Sequence, residues 1–158
     1  LHLSIRRQRQ MCIRDSYKHS VNPSFSASRF CLVDRGITFA IAHIRGGGDL
    51  GDIWHEEGKK KLKKNTFFDY IACANHLIEQ RYTHKGGICF YGGSAGGLTG
   101  GALANMAPEL FFSMLLLVPF VDTMTTMLNE KLPLHAKIAG HPMENGPGNA
   151  IAAANGIP

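Results

Sequence analysis

The sequence predicts an α/β protein in which a mostly parallel sheet is covered by helices on both faces. Three observations carry that prediction. Apolar, β-branched runs alternate with stretches of helical period through the middle of the chain. The run Ile37-Thr38-Phe39-Ala40-Ile41-Ala42 is apolar almost throughout, as a strand buried on both faces of a parallel sheet must be. A six-residue segment, Gly92-Gly93-Ser94-Ala95-Gly96-Gly97, lies between another short apolar run, Gly87 to Tyr91, and a stretch of helical character, Leu98 to Met106.

In chain order, Asn22-Pro23-Ser24 signals a turn, and Phe25, Phe30, Leu32 and Val33 give a short amphipathic helix that stops at Gly36. The Ile37–Ala42 strand follows, then the glycine-rich loop Arg45-Gly46-Gly47-Gly48, with Arg45 expected to anchor it through a carboxylate. Residues 51–64, with Trp54, Glu56, Glu57 and a lysine run, read as a solvent-facing helix and loop. Thr66 is expected to cap the next helix, with Asp69 three residues on completing a capping box. On that helix Phe67, Tyr70, Ile71, Ala74, Leu77 and Ile78 share one face, and it ends near Arg81-Tyr82. Pro108-Glu109-Leu110 closes the helix after Ser94. Met114 to Val118 reads as a buried strand, and Asp122 to Asn129 as a short helix.

Composition removes several function classes. At 158 residues with 44% hydrophobic content, the chain suits one domain with its own core. No apolar run approaches the ~20 residues of a membrane span. The net charge of +5 comes from two local clusters, Arg6 to Arg9 and Lys59 to Lys64, without interleaved aromatics. They read as solvated basic faces rather than a nucleic-acid platform. The four cysteines show no C-x-x-C spacing, and Cys31, Cys73 and Cys89 sit in apolar stretches, which suits small buried thiols in a reducing compartment. The eight histidines lack the helical ligand spacing of a zinc site, and no metal or cofactor is expected. A phosphate cradle at Gly46–Gly48 would need a G-K-[ST] or a G-x-G-x-x-G entering a helix, and neither is present.

The strand–G-x-S-x-G–helix arrangement carries the chemistry. It is the pattern of a nucleophile elbow, in which a serine on a strained turn is flanked by small residues so that strand and helix can close up. Ser94 is the candidate nucleophile. The N–H of Ala95 would point at a forming oxyanion, helped by the positive end of the helix dipole. The alternative is a glycine-rich turn with an incidental serine.

Several separated segments together resemble the catalytic domain of the prolyl oligopeptidase family. They are F39-A-I-A-H-I-R-G-G-G-D-L-G51, N65-T-F-F-D-Y70, G92-G-S-A-G-G97 and P108-E-L-F111. The runs V118-P-F-V-D122 and T125-T-M-L128 are most similar to its oligopeptidase B branch. The resemblance implies an incomplete α/β-hydrolase fold without the family's propeller or the C-terminal part of the sheet. It implies a cytoplasmic serine peptidase acting on short peptides, after Arg or Lys in this branch, with no nucleic acid, membrane or cofactor involved. An esterase or lipase with the same elbow would carry an H-G-G-G oxyanion loop, which Arg45-Gly46-Gly47-Gly48 is not.

Three departures from the family pattern shape the expected organisation. Ser16-Tyr17 matches the tail of the family's Y-G-Y-G-x-Y motif, so its oxyanion tyrosine falls on Arg14. Residues 1–15 are therefore expected to be non-native and foreign to the fold, with 16–134 the partial catalytic domain. The paired glutamates of the oligopeptidase B pocket fall near Ile138 and Gly140, and residues 135–158 read as a divergent, disordered or non-native tail. The triad Asp and His lie further downstream in the family and are expected to be absent here. Asp122 with His141 satisfies only the order of a triad. The chain alone is thus expected to be a catalytically inactive piece of a peptidase, or an inert remnant.

Overall fold

A computed structural model describes residues 9–13 and 24–122. Arg14, the region from Asp122 to Asn129 expected to be helical, His135, His141 and the 135–158 tail thus lie wholly or, for the helix, all but Asp122 outside the described residues.

Four strands form one parallel sheet: β1 (Arg9–Ile13), β2 (Thr38–Ile41), β3 (Ile88–Gly93) and β4 (Phe111–Leu117). Their spatial order is β2-β1-β3-β4. The Arg9–Ile13 backbone therefore runs through the middle, pairing Arg9 with both Thr38 and Ile88. From sequence, residues 1–15 are expected to be foreign to the fold. The structure instead uses the backbone of five of them as a strand, and a ladder of N–H and C=O groups asks nothing of side-chain identity.

Five helices were anticipated from period or punctuation, and four are described: α1 (Ala27–Val33), α2 (Asp52–Glu56), α3 (Lys64–Glu79) and α4 (Ala95–Met106). Alternating residues of β3 are fully buried: Ile88, Phe90 and Gly92. Ile88 and Phe90 join Tyr70 and Ala74 of α3 and Leu103 of α4 in the main core. The Phe90 ring lies 5.3 Å from Tyr70 and edge-on to Phe111 at 6.3 Å. Burying side chains of this kind stabilises by about 1.5–3 kcal/mol each. The apolar face predicted for α3 is the one that packs, with Phe67, Tyr70 and Ala74 buried and Ile71, Leu77 and Ile78 partly so. The helix stops where its sequence indicated. Arg81 takes a left-handed φ of 57°, its N–H donates to Ile78 O, and the Tyr82 N–H donates to Leu77 O, which closes the end as a Schellman motif.

Other expectations are corrected. Thr66 does not cap α3, because the helix already begins at Lys64 and its N-cap residue is Lys63. β2 is not buried on both faces: Thr38 is exposed and the other three residues are half-buried, since β2 is the end strand of the described order. β4 is likewise an end strand, with Phe112, Leu115 and Leu117 exposed. The lysine run is not wholly solvated, for Lys59 and Lys63 are buried. Cys31 is exposed on α1, while Cys73 and Cys89 are half-buried.

Candidate active site

The elbow is a change of direction compressed into one residue. β3 ends at Gly93, α4 begins at Ala95, and Ser94 between them has φ 52° and ψ −113°. That combination lies outside the regions open to an L-residue. Holding it costs on the order of 1–3 kcal/mol, which the surroundings must supply. Ser94 itself is exposed at the crest of the turn, while Ala95 through Gly100 are buried beneath it.

The glycines explain how so sharp a turn packs, and they are not equivalent. A Cβ on Gly92 would lie 2.7 Å from Gly96 O and 2.6 Å from the Phe90 ring. On Gly97 it would run into the backbone of Pro119, and on Gly100 into Leu116 and Phe90. On Gly93 it would meet Leu117 O at 3.5 Å, an ordinary contact. The small residues that the turn demands are therefore Gly92 and Gly97, and Gly93 is sterically free.

Ser94 is held by its backbone on both sides. Its N–H donates to Leu117 O at 2.9 Å, and its carbonyl accepts from Gly97 N at 2.9 Å and Phe120 N at 3.1 Å. Ala95 is the first residue of α4, so its N–H has no carbonyl one turn earlier within the helix to bond. A free N–H at the positive end of a twelve-residue helix is a donor suited to a developing oxyanion. Among the described residues, no side-chain hydrogen bond reaches Ser94 Oγ.

The Arg45 loop is the second built feature. The Asp69 carboxylate takes three donors from Arg45: the backbone N–H at 3.0 Å, Nε at 2.7 Å and Nη2 at 2.5 Å. Glu57 adds a looser ion pair at 3.6 Å. Hydrogen bonding to Asp69 raises the Arg45 pKa, opposed by partial desolvation, so the guanidinium stays charged. Thr66 Oγ1 donates to Arg45 O at 2.7 Å. The expected carboxylate anchor is thus present, and it is Asp69. Thr66 and Asp69, read as a helix cap, are instead tertiary clamps on a loop more than twenty residues earlier.

Around the loop, the buried His55 donates Nδ1–H to Gly46 O at 2.8 Å, and Gly46 N–H donates to Trp54 O. Gly46 has φ 106°, and Gly58 lies so close that a Cβ there would collide with Gly46 N and the Arg45 carbonyl. No sequence signal marked Gly58, which matters only because another segment crosses it. The loop and the elbow helix are tied through α3. Phe67, next to Thr66, is fully buried against Ala102 and Met106 of α4.

Comparison with known proteins gives a consistent result. A model of the prolyl oligopeptidase family matches residues 23–154. The chain is 46% identical over 134 residues to dipeptidyl aminopeptidase BI of Pseudoxanthomonas mexicana, covering 83% of this chain and 18% of that protein. It is 50% identical over 119 residues to protease 2 of Moraxella lacunata, covering 75% and 17% respectively. Among solved structures it is similar to oligopeptidase B from Trypanosoma brucei with covalently bound antipain, in the closed form. The TM-score there is 0.77 at 44% identity, over 85% of this chain and 19% of that one. Oligopeptidase B from Leishmania major gives a TM-score of 0.76 at 46% identity, over 81% and 18%. The chain spans less than a fifth of the length of each of these relatives. The described sheet and helices are part of an α/β-hydrolase catalytic domain.

Proposed function

The chain belongs to the prolyl oligopeptidase family of serine peptidases, and from that premise we propose that it is part of the catalytic domain of an endopeptidase whose nucleophile is Ser94. The observation that carries the proposal is the strained, exposed Ser94 between β3 and the N-terminus of α4. Ser94 Oγ attacks a peptide carbonyl while a triad histidine takes its proton. The carbonyl oxygen becomes an oxyanion held by the Ala95 N–H and a second donor. The C–N bond then breaks as the histidine returns the proton to the leaving amine, and water releases the acyl group from Ser94 by the same route.

The substrate reading is short peptides cut after Arg or Lys, supported by the likeness to oligopeptidase B, and cytoplasmic residence goes with it. The 16–134 boundaries of the partial domain, with 135–158 as a non-native end and 1–15 as non-native in sequence although Arg9–Ile13 lends its backbone to the sheet, are part of the same proposal. The chain on its own is inactive in this reading. Its support is that no histidine or carboxylate among the described residues bonds Ser94 Oγ, and loss of a triad histidine can cost ~10⁶ in kcat.

A fluorophosphonate probe tests the assignment. In the full-length peptidase carrying this sequence, labelling is expected at Ser94 and lost in Ser94→Ala along with cleavage of short basic peptides. Retained peptidase activity in Ser94→Ala would refute it. Preferential hydrolysis of simple acyl esters would favour an esterase.

A further inference from the structure

We infer that the turn after β4, through the backbone N–H of Phe120, is a positioning device that aims the oxyanion donor of Ala95. The inference rests on the reading of Ser94 as nucleophile and extends it to a segment that reading does not use.

The argument begins with one peptide unit. Ser94 C=O and Ala95 N–H belong to the same plane and, in a trans peptide, point in opposite directions. Whatever fixes the carbonyl therefore fixes the N–H. Two donors fix it: Gly97 N at 2.9 Å, from within α4, and Phe120 N at 3.1 Å, from another segment. The bond from Gly97 spans three residues and turns with the helix end. Among the described residues, the bond from Phe120 is the one that ties the plane to a segment outside α4.

The same turn also holds the other side of the serine, because Leu117 O accepts the Ser94 N–H at 2.9 Å. One stretch, Leu117 to Phe120, thus grips Ser94 at both of its backbone polar groups. Between the two grips Pro119 seats on Gly97 so closely that no Cβ fits there. The chain makes this turn by placing Val118 at φ 43°. A β-branched residue in that region is a true outlier. The residue is 88% exposed, so packing of its side chain does not hold it there. The flanking grips do. A strained turn maintained by contacts with a strained nucleophile is a mutual arrangement, and each half loses its support if the other relaxes.

Phe120 is accordingly a positioning residue acting through its main chain. The test is made in the full-length peptidase, with rates normalised to the active-site concentration found by burst titration. Replacing the Pro119–Phe120 amide by an ester deletes the N–H and leaves the side chain. It is expected to lower kcat per active site at least tenfold with KM within about twofold, since losing an oxyanion donor outright costs ~10²–10³. Val118→Pro, which cannot take a positive φ, is expected to do the same, whereas Val118→Asn, which tolerates it, should keep the wild-type rate. The fluorophosphonate adduct must remain on Ser94 in every variant. An adduct elsewhere would overturn the nucleophile assignment itself. An adduct on Ser94 with kcat per site unchanged in the ester would overturn the positioning role, as would a loss confined to the number of active sites.

Discussion

Asp69 offers a direct measure of what the Arg45 loop gains from α3. In Asp69→Asn the remaining amide oxygen can still accept from Arg45 N–H and Nε, now without a negative charge. The new NH2 faces Arg45 Nη2, donor against donor, where the carboxylate oxygen stood at 2.5 Å. A hydrogen bond to a charged group contributes about 1.5–3 kcal/mol. The Arg45 and Asp69 side chains keep 27% and 19% exposure, which moves the figure to the lower half of that range, about 2 kcal/mol. Since 1.4 kcal/mol is a factor of ten, opening of the loop becomes about thirty times more frequent. Native-state hydrogen exchange of the full-length protein reads this locally. Peptides covering residues 43–51 are expected to exchange about thirtyfold faster in the variant, while those from residues 95–106 keep their rates. Acceleration below threefold in the loop would refute the reasoning. So would an equal acceleration in both regions, which would mean that the pair supports the domain at large rather than the loop.

Three further outcomes follow, two from packing and one from charge. Gly93→Ala should leave the rate of Ser94 labelling within twofold, because the added methyl group meets only ordinary contacts. Gly97→Ala should slow labelling at least tenfold and lower Tm, because the methyl group meets the Pro119 backbone. Burial pushes the Cys73 thiol up, and the Asp69 charge adds to the effect. The unfolded chain therefore releases this proton first, near pH 8.5, and the folded state holds it longer. Stability is full below that pH and falls as pH rises through the folded value. Urea unfolding between pH 7.5 and 10.5 should show wild type losing stability relative to Cys73→Ser, and parallel curves would contradict the assignment.

How much of this could be read from sequence depends on the range of the forces involved. The elbow was legible because a strained serine needs small residues at fixed, adjacent positions, and those stand side by side from Gly92 to Gly97. The apolar face of α3 was legible for the same reason, since Phe67, Tyr70 and Ala74 repeat at helical spacing. Thr66 and Asp69 were misread because their local spacing fits a capping box while their partners lie on the Arg45 loop. Gly58 and the Phe120 N–H carry no local signal at all, since each is defined by the backbone of another segment. Lys59 and Lys63 show the same limit in charge. A basic run reads as solvated until the loop that covers it is known. Arg9–Ile13 is the extreme case, a central strand recognisable only by its two partners.

That central strand also sets an order of events. Its pairing with β3 joins backbone made about eighty residues apart, so during synthesis at ~5–20 residues per second it waits ~4–16 s for its partner. The elbow, its helix and the turn that grips them all lie between Ile88 and Phe120, and they can come together among themselves as soon as that stretch has left the ribosome. The geometry around Ser94 is therefore a short-range product of the chain, while the closing of the sheet is a long-range one. Damage at the N-terminal end of the sheet would slow folding without redrawing the turn on which Ser94 stands.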